Sequence, residues 1–110
     1  AERAAVEDVA EATVQCLLNA VPASLAGVVF LSGGQGDVEA TRHLDAMNRL
    51  MENLPWPLSF SYGRALQQSA LNEWAKNPAE NWAEAQRILA HRARMNGLAA
   101  MGRYETRMEE

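Results

Sequence analysis

The feature that most constrains this chain is a glycine-rich junction between an apolar run and a helical pattern. Residues 27–31 (GVVFL) are apolar and rich in β-branched side chains, whereas residues 32–36 (SGGQG) contain three glycines. Apolar character without alternation is typical of a strand buried on both faces, as in a parallel sheet that helices cover. A glycine-rich turn at such a place is either a flexible connection or a backbone cradle for an anion.

Helical patterns stand on both sides of this strand. Before it, apolar residues from Val6 to Val21 recur at the spacing of one helix face, and Pro22 ends that helix because proline cannot donate the next backbone hydrogen bond. After it, a second amphipathic helix is predicted from about Asp37 to Asn53. Its apolar stripe consists of Ala40, Leu44, Met47, Met51 and Leu54.

A second strand and two further helices follow. The rigid segment 55–57 (PWP) leads into residues 58–62 (LSFSY), where large apolar and small hydroxyl side chains alternate, as in a strand with two different faces. Gly63-Arg64 begins a third helix, with its apolar side predicted at Leu66, Ala70, Leu71 and Trp74. The order helix, strand, helix, strand, helix, helix predicts an α/β fold.

The last helix is predicted to start at Asn77-Pro78, with asparagine at the cap and proline in the first turn. Its buried side is expected at Trp82, Ala85, Leu89, Ala93 and Asn96, with His91, Arg92 and Arg94 at or beyond its edge. The tail from Arg103 to Glu110 is charged, and we expect it to be frayed. Trp56, Trp74 and Trp82 are expected to anchor helices on the sheet.

Composition limits the classes of protein that fit. With 110 residues, 48% of them apolar, the chain is expected to form one domain spanning residues 1–110. A net charge of -4 argues against nucleic-acid binding, and no apolar run approaches the roughly 20 residues that span a bilayer. The N-terminal residues do not resemble a signal peptide. The single cysteine, Cys16, is expected to be a small packed apolar residue, and one cysteine favours a cytoplasmic location.

Arg64 favours the anion cradle over the flexible connection. It stands at the start of a helix, where the helix dipole disfavours a cation, unless a dianion lies between the guanidinium and the free backbone N–H groups. Both glycine-containing turns follow strands predicted to be parallel, so both emerge at one edge of the sheet. In eight-stranded α/β barrels, phosphate sites commonly form from the loops after the last two strands. The alternative is an ordinary surface arginine.

Two motifs about thirty residues apart resemble the class I fructose-bisphosphate aldolases. They are residues 30–35 (FLSGGQ) and residues 60–67 (FSYGRALQ), and the likeness extends from residues 12–14 (ATV) to residues 99–104 (AAMGRY). The resemblance covers nearly the whole chain. It implies a (β/α)8 barrel that cleaves fructose 1,6-bisphosphate to dihydroxyacetone phosphate and glyceraldehyde 3-phosphate without a metal or another cofactor.

The resemblance also implies site residues. In the family, the serine and glycines after strand seven, here Ser32, Gly33 and Gly34, help hold a substrate phosphate. Ser61 and Arg64 complete that site, and Gly63 supplies room for the backbone. The complete protein is expected to be a cytoplasmic homo-oligomer of glycolysis.

Departures from the family pattern indicate part of an enzyme. The Schiff-base lysine of the family lies on strand six, upstream of this chain, and the single lysine here, Lys76, is expected to be a solvated surface residue. The acid/base carboxylates of the family also lie at earlier strands, whereas carboxylates such as Asp37 and Glu39 fall on helix faces. Because a barrel typically needs about 250 residues, the chain is interpreted as the C-terminal part, its last two strands with flanking helices.

Two other classes of function stay open. The same residues could form a non-catalytic module that binds sugar phosphates, or the chain could be a helical assembly unit in which the glycines are hinges. A metal site is not expected, because His43 and His91 lie far apart without cysteine or carboxylate at ligand spacing.

Overall fold

The two predicted strands pair in parallel. The computed structural model describes residues 5–31, 36–50, 54–61 and 63–109, and in it β1 (Val28–Leu31) lies beside β2 (Leu58–Ser61). The register pairs Val28 with Leu58 and Leu31 with Ser61, so both strands end at the same edge. The predicted α/β class is therefore confirmed.

Helices precede, separate and follow the strands in the predicted order. Val21 follows the first helix directly and donates its backbone N–H to Leu17 O at 2.8 Å. The predicted end of the second helix, at Asn53, lies in residues 51–53, outside the described residues. The helices are α1 (Val6–Ala20), α2 (Asp37–Leu50), α3 (Arg64–Lys76) and α4 (Trp82–Ala100), followed by a short 3-10 helix (Thr106–Glu109).

The core lies between one face of the sheet and the helices. Leu58 and Phe60 of β2 point into it, and Leu44 of α2 and Met95 of α4 are almost fully buried there. Trp56 is 2% exposed, and its indole N–H donates to Pro22 O at 2.9 Å, which ties the segment before β2 to the end of α1. The prediction that Trp56 is an anchor is confirmed.

The expectation that β1 is buried on both faces is wrong. Val29 is 62% exposed and Leu31 is 80% exposed, whereas Val28 and Phe30 pack against the core. Among the described residues, helices cover only the face that carries Val28 and Phe30. The opposite face of β1 is apolar and exposed.

The fourth helix begins four residues later than predicted, at Trp82. The carbonyl of Asn77 accepts backbone N–H groups from Glu80 at 3.1 Å and from Asn81 at 2.8 Å, which closes a turn. Asn81 Nδ2 donates to Glu73 O at 3.1 Å, so the side chain binds α3 instead of capping α4. This contact with the preceding helix sets the start of α4.

The buried side of α4 also differs from the prediction. Ala85 and Asn96 are buried as expected, but Trp82 is 56% exposed and Leu89 is 39% exposed. Small residues let α4 approach its neighbours closely, which moves the large side chains to the margin of the contact. Trp74, at 47% exposed, lies across a shallow groove from Trp82, so neither anchors a helix on the sheet.

Two smaller expectations are also wrong. Cys16 is exposed because the buried stripe of α1 runs through Ala10 and Val14. The tail is not frayed over residues 103–109, because Tyr104 is only 2% exposed and its hydroxyl donates to Glu109 Oε2 at 2.8 Å. The tail packs back against the helices.

Candidate functional site

The two strands end side by side at the carboxyl edge of the sheet. Leu31 and Ser61 are register partners, and each is the last residue of its strand. The segment after β1 and the turn after β2 therefore begin side by side. The predicted phosphate residues Ser32, Gly33 and Gly34 lie in 32–35, outside the described residues, whereas Ser61, Gly63 and Arg64 lie at this edge.

The N-terminus of α3 has no side-chain cap. Gly63 occupies the cap position, and its carbonyl accepts the backbone N–H groups of Leu66 at 3.1 Å and Gln67 at 3.0 Å. Arg64 is the first helical residue and is exposed. The ion pairs and side-chain hydrogen bonds among the described residues do not include Arg64. A cation at a helix N-terminus that has no side-chain cap is an arrangement that can bind an anion.

The N-terminus of α2 already carries a carboxylate. Asp37 is its first residue, and its Oδ1 accepts the backbone N–H of Val38 at 2.7 Å. Its Oδ2 accepts a hydrogen bond from the hydroxyl of Ser69 on α3. Asp37 thus joins α2 to α3, and its negative charge complements the dipole of α2. Of these two helix starts, the one at α3 is the better place for an anion.

A buried arginine lies behind this edge. Arg92 of α4 was expected at the margin of the helix, but its side chain is 3% exposed. Its Nη2 donates to Thr41 Oγ1 at 2.5 Å, and its Nη1 donates to Glu109 Oε1 at 2.6 Å. Thr41 Oγ1 lies 2.6 Å from Asn96 Oδ1, and Asn96 Nδ2 donates to Ala65 O at 3.1 Å. These polar groups connect α2, α3, α4 and the tail.

Glu109 balances the charge of Arg92. Burial alone raises the pKa of Glu109, but hydrogen bonds from Arg92, His91 and Tyr104 together lower it below its ordinary value. The distance from His91 Nε2 to Glu109 Oε1 is 2.9 Å. Burial raises the pKa of Tyr104 to about 12, and the hydrogen bond to Glu109 adds to this shift. The carboxylate therefore stays ionised beside the guanidinium at neutral pH.

The other candidate groups do not form a reactive site. The side chain of Lys76 is 70% exposed, and its Nζ lies 3.1 Å from Glu73 Oε2, which confirms the predicted surface position. His43 is buried on α2, and His91 lies on α4. In the described part of the chain, no three His, Cys, Asp or Glu side chains are close enough to hold a metal ion. None of the helices there is long and apolar enough to cross a membrane.

Sequence reasoning missed the polar network around Arg92. A usable signal exists, because Ala85, Arg92, Asn96 and Ala99 follow one another at intervals of seven, four and three residues. Such spacing puts all four on one helix face, and alanines at both ends of the series place that face against a neighbour. Arg92 therefore belongs to the buried side together with Asn96, which the sequence prediction already places there.

Comparisons with known proteins agree on one family. The family model described as fructose-bisphosphate aldolase class-I matches residues 1–110. A relative from Xanthomonas campestris, named probable fructose-bisphosphate aldolase class 1, is 59% identical over 104 residues. That alignment covers 94% of this chain and 31% of the relative. The relative from Spinacia oleracea, named the cytoplasmic isozyme of fructose-bisphosphate aldolase, is 52% identical over 99 residues, 90% of this chain and 28% of its own length.

A solved structure supports the same conclusion. The fold is similar to that of fructose-bisphosphate aldolase from Plasmodium falciparum, solved in complex with TRAP and a small molecule inhibitor. The TM-score is 0.87 at 47% sequence identity, over 94% of this chain and 29% of that chain. The chain thus spans about a third of the length of the curated relatives it matches.

Proposed function

Because the chain belongs to the class I fructose-bisphosphate aldolase family, we propose that it forms the C-terminal part of a (β/α)8 barrel enzyme. In this proposal β1 and β2 are the last two barrel strands, and residues 1–110 contribute one structural unit to a larger domain. The exposed apolar face of β1 then turns toward the barrel interior, where side chains from the other strands cover it.

The proposed activity is cleavage of fructose 1,6-bisphosphate to dihydroxyacetone phosphate and glyceraldehyde 3-phosphate through a Schiff base. The lysine and the acid/base carboxylates lie in the upstream part of the complete enzyme. Lys76 is unsuited to the role, because twelve helical steps separate it from Arg64, roughly 18 Å along α3. The full-length protein is proposed to be a homo-oligomer. It is also proposed to be cytoplasmic, in keeping with the name of the spinach relative.

This segment supplies the grip on a substrate phosphate. The proposed ligands are Ser61, the backbone at Gly63 and the guanidinium of Arg64, together with Ser32, Gly33 and Gly34. The observation that supports the proposal is the register of Leu31 with Ser61, because both strands then end at one edge of the sheet, beside the N-terminus of α3, which has no side-chain cap. A phosphate held there fixes the substrate so that its carbonyl meets the lysine at attack distance.

The decisive experiment replaces Arg64 with alanine. It uses a protein in which these 110 residues stand at the matching place in a full-length family member, here termed the complete enzyme. Loss of a charge-assisted hydrogen bond costs about 1.5–3 kcal/mol, so kcat/KM for fructose 1,6-bisphosphate should fall about ten- to a hundredfold. For the monophosphate that lacks the phosphate held here, kcat/KM should fall much less. Lys76→Ala, on the same helix at its other end, is the matched control and should leave both substrates unaffected.

Equal losses on the bisphosphate and on both monophosphates would contradict the proposal, as would a large fall in melting temperature. Borohydride trapping separates the enzyme from a phosphate-binding module. The complete enzyme should be reduced onto dihydroxyacetone phosphate, whereas the 110-residue chain alone should not. Inorganic phosphate should stabilise the chain if it is part of the enzyme or a phosphate-binding module. It should not stabilise an assembly unit without a phosphate site.

A further inference from the structure

Arg92 carries a charge in the protein interior, where an ion is costly. Its side chain is 3% exposed and lies in the middle of α4. The effective cost of burying an ion is several kcal/mol unless hydrogen bonds and an opposite charge compensate it. The partners of Arg92 therefore decide what the residue does.

Those partners lie near the N-termini of two helices, within the first two turns of α2 and the first turn of α3. On α2, Nη2 donates to Thr41 Oγ1 at 2.5 Å and to Asp37 O at 3.5 Å. On α3, Nε donates to Ala65 O at 3.4 Å, and the neighbouring Asn96 Nδ2 donates to the same carbonyl at 3.1 Å. One guanidinium thus joins the start of the helix after β1 to the start of the helix after β2.

Two carboxylates supply charge balance: Asp37 Oδ2 lies 4.0 Å from Nε of Arg92, and Glu109 of the tail lies closer. Nη1 of Arg92 donates to Glu109 Oε1 at 2.6 Å, and the side chain of Glu109 is 16% exposed. Four of the five N–H groups of the guanidinium, one on Nε, one on Nη1 and two on Nη2, have protein acceptors. A group so fully occupied is suited to hold its neighbours in place and not to bind a ligand.

The position of Ala65 connects this network to the anion site. Ala65 directly follows Arg64, and Asp37 directly follows Gly36 at the end of the glycine-rich segment. The strands are only four residues long, so the sheet by itself leaves the separation of the two helix starts weakly determined. Arg92 and Asn96 add direct bonds at those starts.

We propose that Arg92 is a positioning residue that sets the spacing between the first turns of α2 and α3, and thereby the geometry of the anion site between them. Glu109 keeps the charge of Arg92 balanced. The inference rests on the proposed function of this sheet edge, because it assumes that a phosphate binds beside Arg64. The inference assigns to Arg92 an effect on the geometry of the site without a contact to the phosphate.

The test measures competitive inhibition of the complete enzyme by inorganic phosphate. Arg92→Lys keeps the charge but loses the fork that reaches both helices, so the inhibition constant should rise about five- to thirtyfold, the effect of one or two lost kcal/mol. Glu109→Gln removes the ion pair on the tail side and should change the inhibition constant much less, even where it lowers the melting temperature equally. Arg87→Lys, exposed on the same helix, is the matched control.

A double-mutant cycle with Arg64→Ala separates the possible failures. If Arg92 acts through the site, Arg64→Ala and Arg92→Lys together should weaken phosphate binding by clearly less than the product of their separate effects. An unchanged inhibition constant in Arg64→Ala would overturn the proposed phosphate site itself. A normal effect of Arg64→Ala with no effect of Arg92→Lys, or with an effect equal to that of Glu109→Gln, would overturn only the positioning role.

Discussion

Tyr104 shows how one side chain can be tuned by the network around it. Its ring is 2% exposed, its hydroxyl donates to Glu109 Oε2 at 2.8 Å, and its backbone N–H donates to Asp45 Oδ1 at 2.9 Å. Burial first, and then the adjacent carboxylate, raise the pKa of the phenol to about 12. The tail is thereby fastened through both the backbone and the side chain of one residue.

This shift predicts a loss of stability at alkaline pH. Because the folded pKa of Tyr104 lies above the ordinary value of 10.0, its contribution is complete below pH 10.0 and is lost as the pH rises through about 12. Thermal unfolding of the complete enzyme should show this decline, and Tyr104→Phe should make it shallower. A decline of the same steepness in both proteins would contradict the prediction.

The lowered pKa of Glu109 predicts a loss of stability at acid pH. Its pKa is lowered from 4.5, so its stabilising contribution is present above that pH and is lost as the pH falls through the folded value. At neutral pH, Glu109→Gln should lower the free energy of unfolding by about 1.5–3 kcal/mol, the value of a charge-assisted hydrogen bond. Melting temperatures measured at a series of pH values should converge for the two proteins in acid. A constant difference would show that ionisation of Glu109 is not involved.

At the scale of elements, the end of α4 depends on a single glycine. Gly102 has φ +68°, its N–H donates to Ala99 O at 3.1 Å, and the N–H of Arg103 donates to Leu98 O at 2.9 Å. This is the hydrogen-bond pattern of a Schellman motif, which ends a helix with a left-handed residue. The motif turns the chain so that Tyr104 enters the core.

Alanine substitutions of the glycine just after α4 and of the glycine within it should therefore have opposite effects. Gly102→Ala should cost roughly 1–2 kcal/mol, because its backbone is left-handed and an added Cβ would lie 3.3 Å from Asn48 C. Gly97→Ala, in the interior of the same helix with nothing within 4 Å of the added Cβ, should stabilise by about 0.5–1 kcal/mol. Melting temperatures of the two variants of the complete enzyme compare them directly. Equal destabilisation by both substitutions would contradict this account of the helix end.

At the scale of the whole molecule, the described residues leave two apolar surfaces uncovered. One is the outer face of β1, with Val29 and Leu31. The other is the groove between α3 and α4, where Leu71 is 53% exposed and faces Trp74 and Trp82. Exposed apolar surface and unpaired strand edges favour association.

We therefore expect the isolated 110-residue chain to self-associate or to pack loosely. Sedimentation velocity at increasing concentration should show species larger than a monomer. Val29→Thr, which keeps a β-branched side chain, should reduce association, while the exposed control Lys76→Gln should not. A sharp monomer boundary together with a cooperative melt would contradict the expectation.

Much of the architecture follows from local pattern. The strands at Val28–Leu31 and Leu58–Ser61, the helices beside them and their order are all encoded in short runs of apolar periodicity and in glycine or proline at the ends. The position of Arg64 at a helix start is also readable locally. Each of these features depends on neighbours within a few residues, so a single sequence suffices to predict it.

Only the tertiary structure decided the burial of Arg92, Trp74 and Trp82, for which the sequence prediction is wrong. Arg92 bonds Thr41 across 51 residues of sequence, and this contact converts a residue expected at a helix margin into the centre of a buried network. Trp74 and Trp82 are apolar enough for a core, yet the close approach of α3 and α4 through small residues leaves them at the surface. Burial is a property of distant segments that meet in space, and local periodicity does not contain that information.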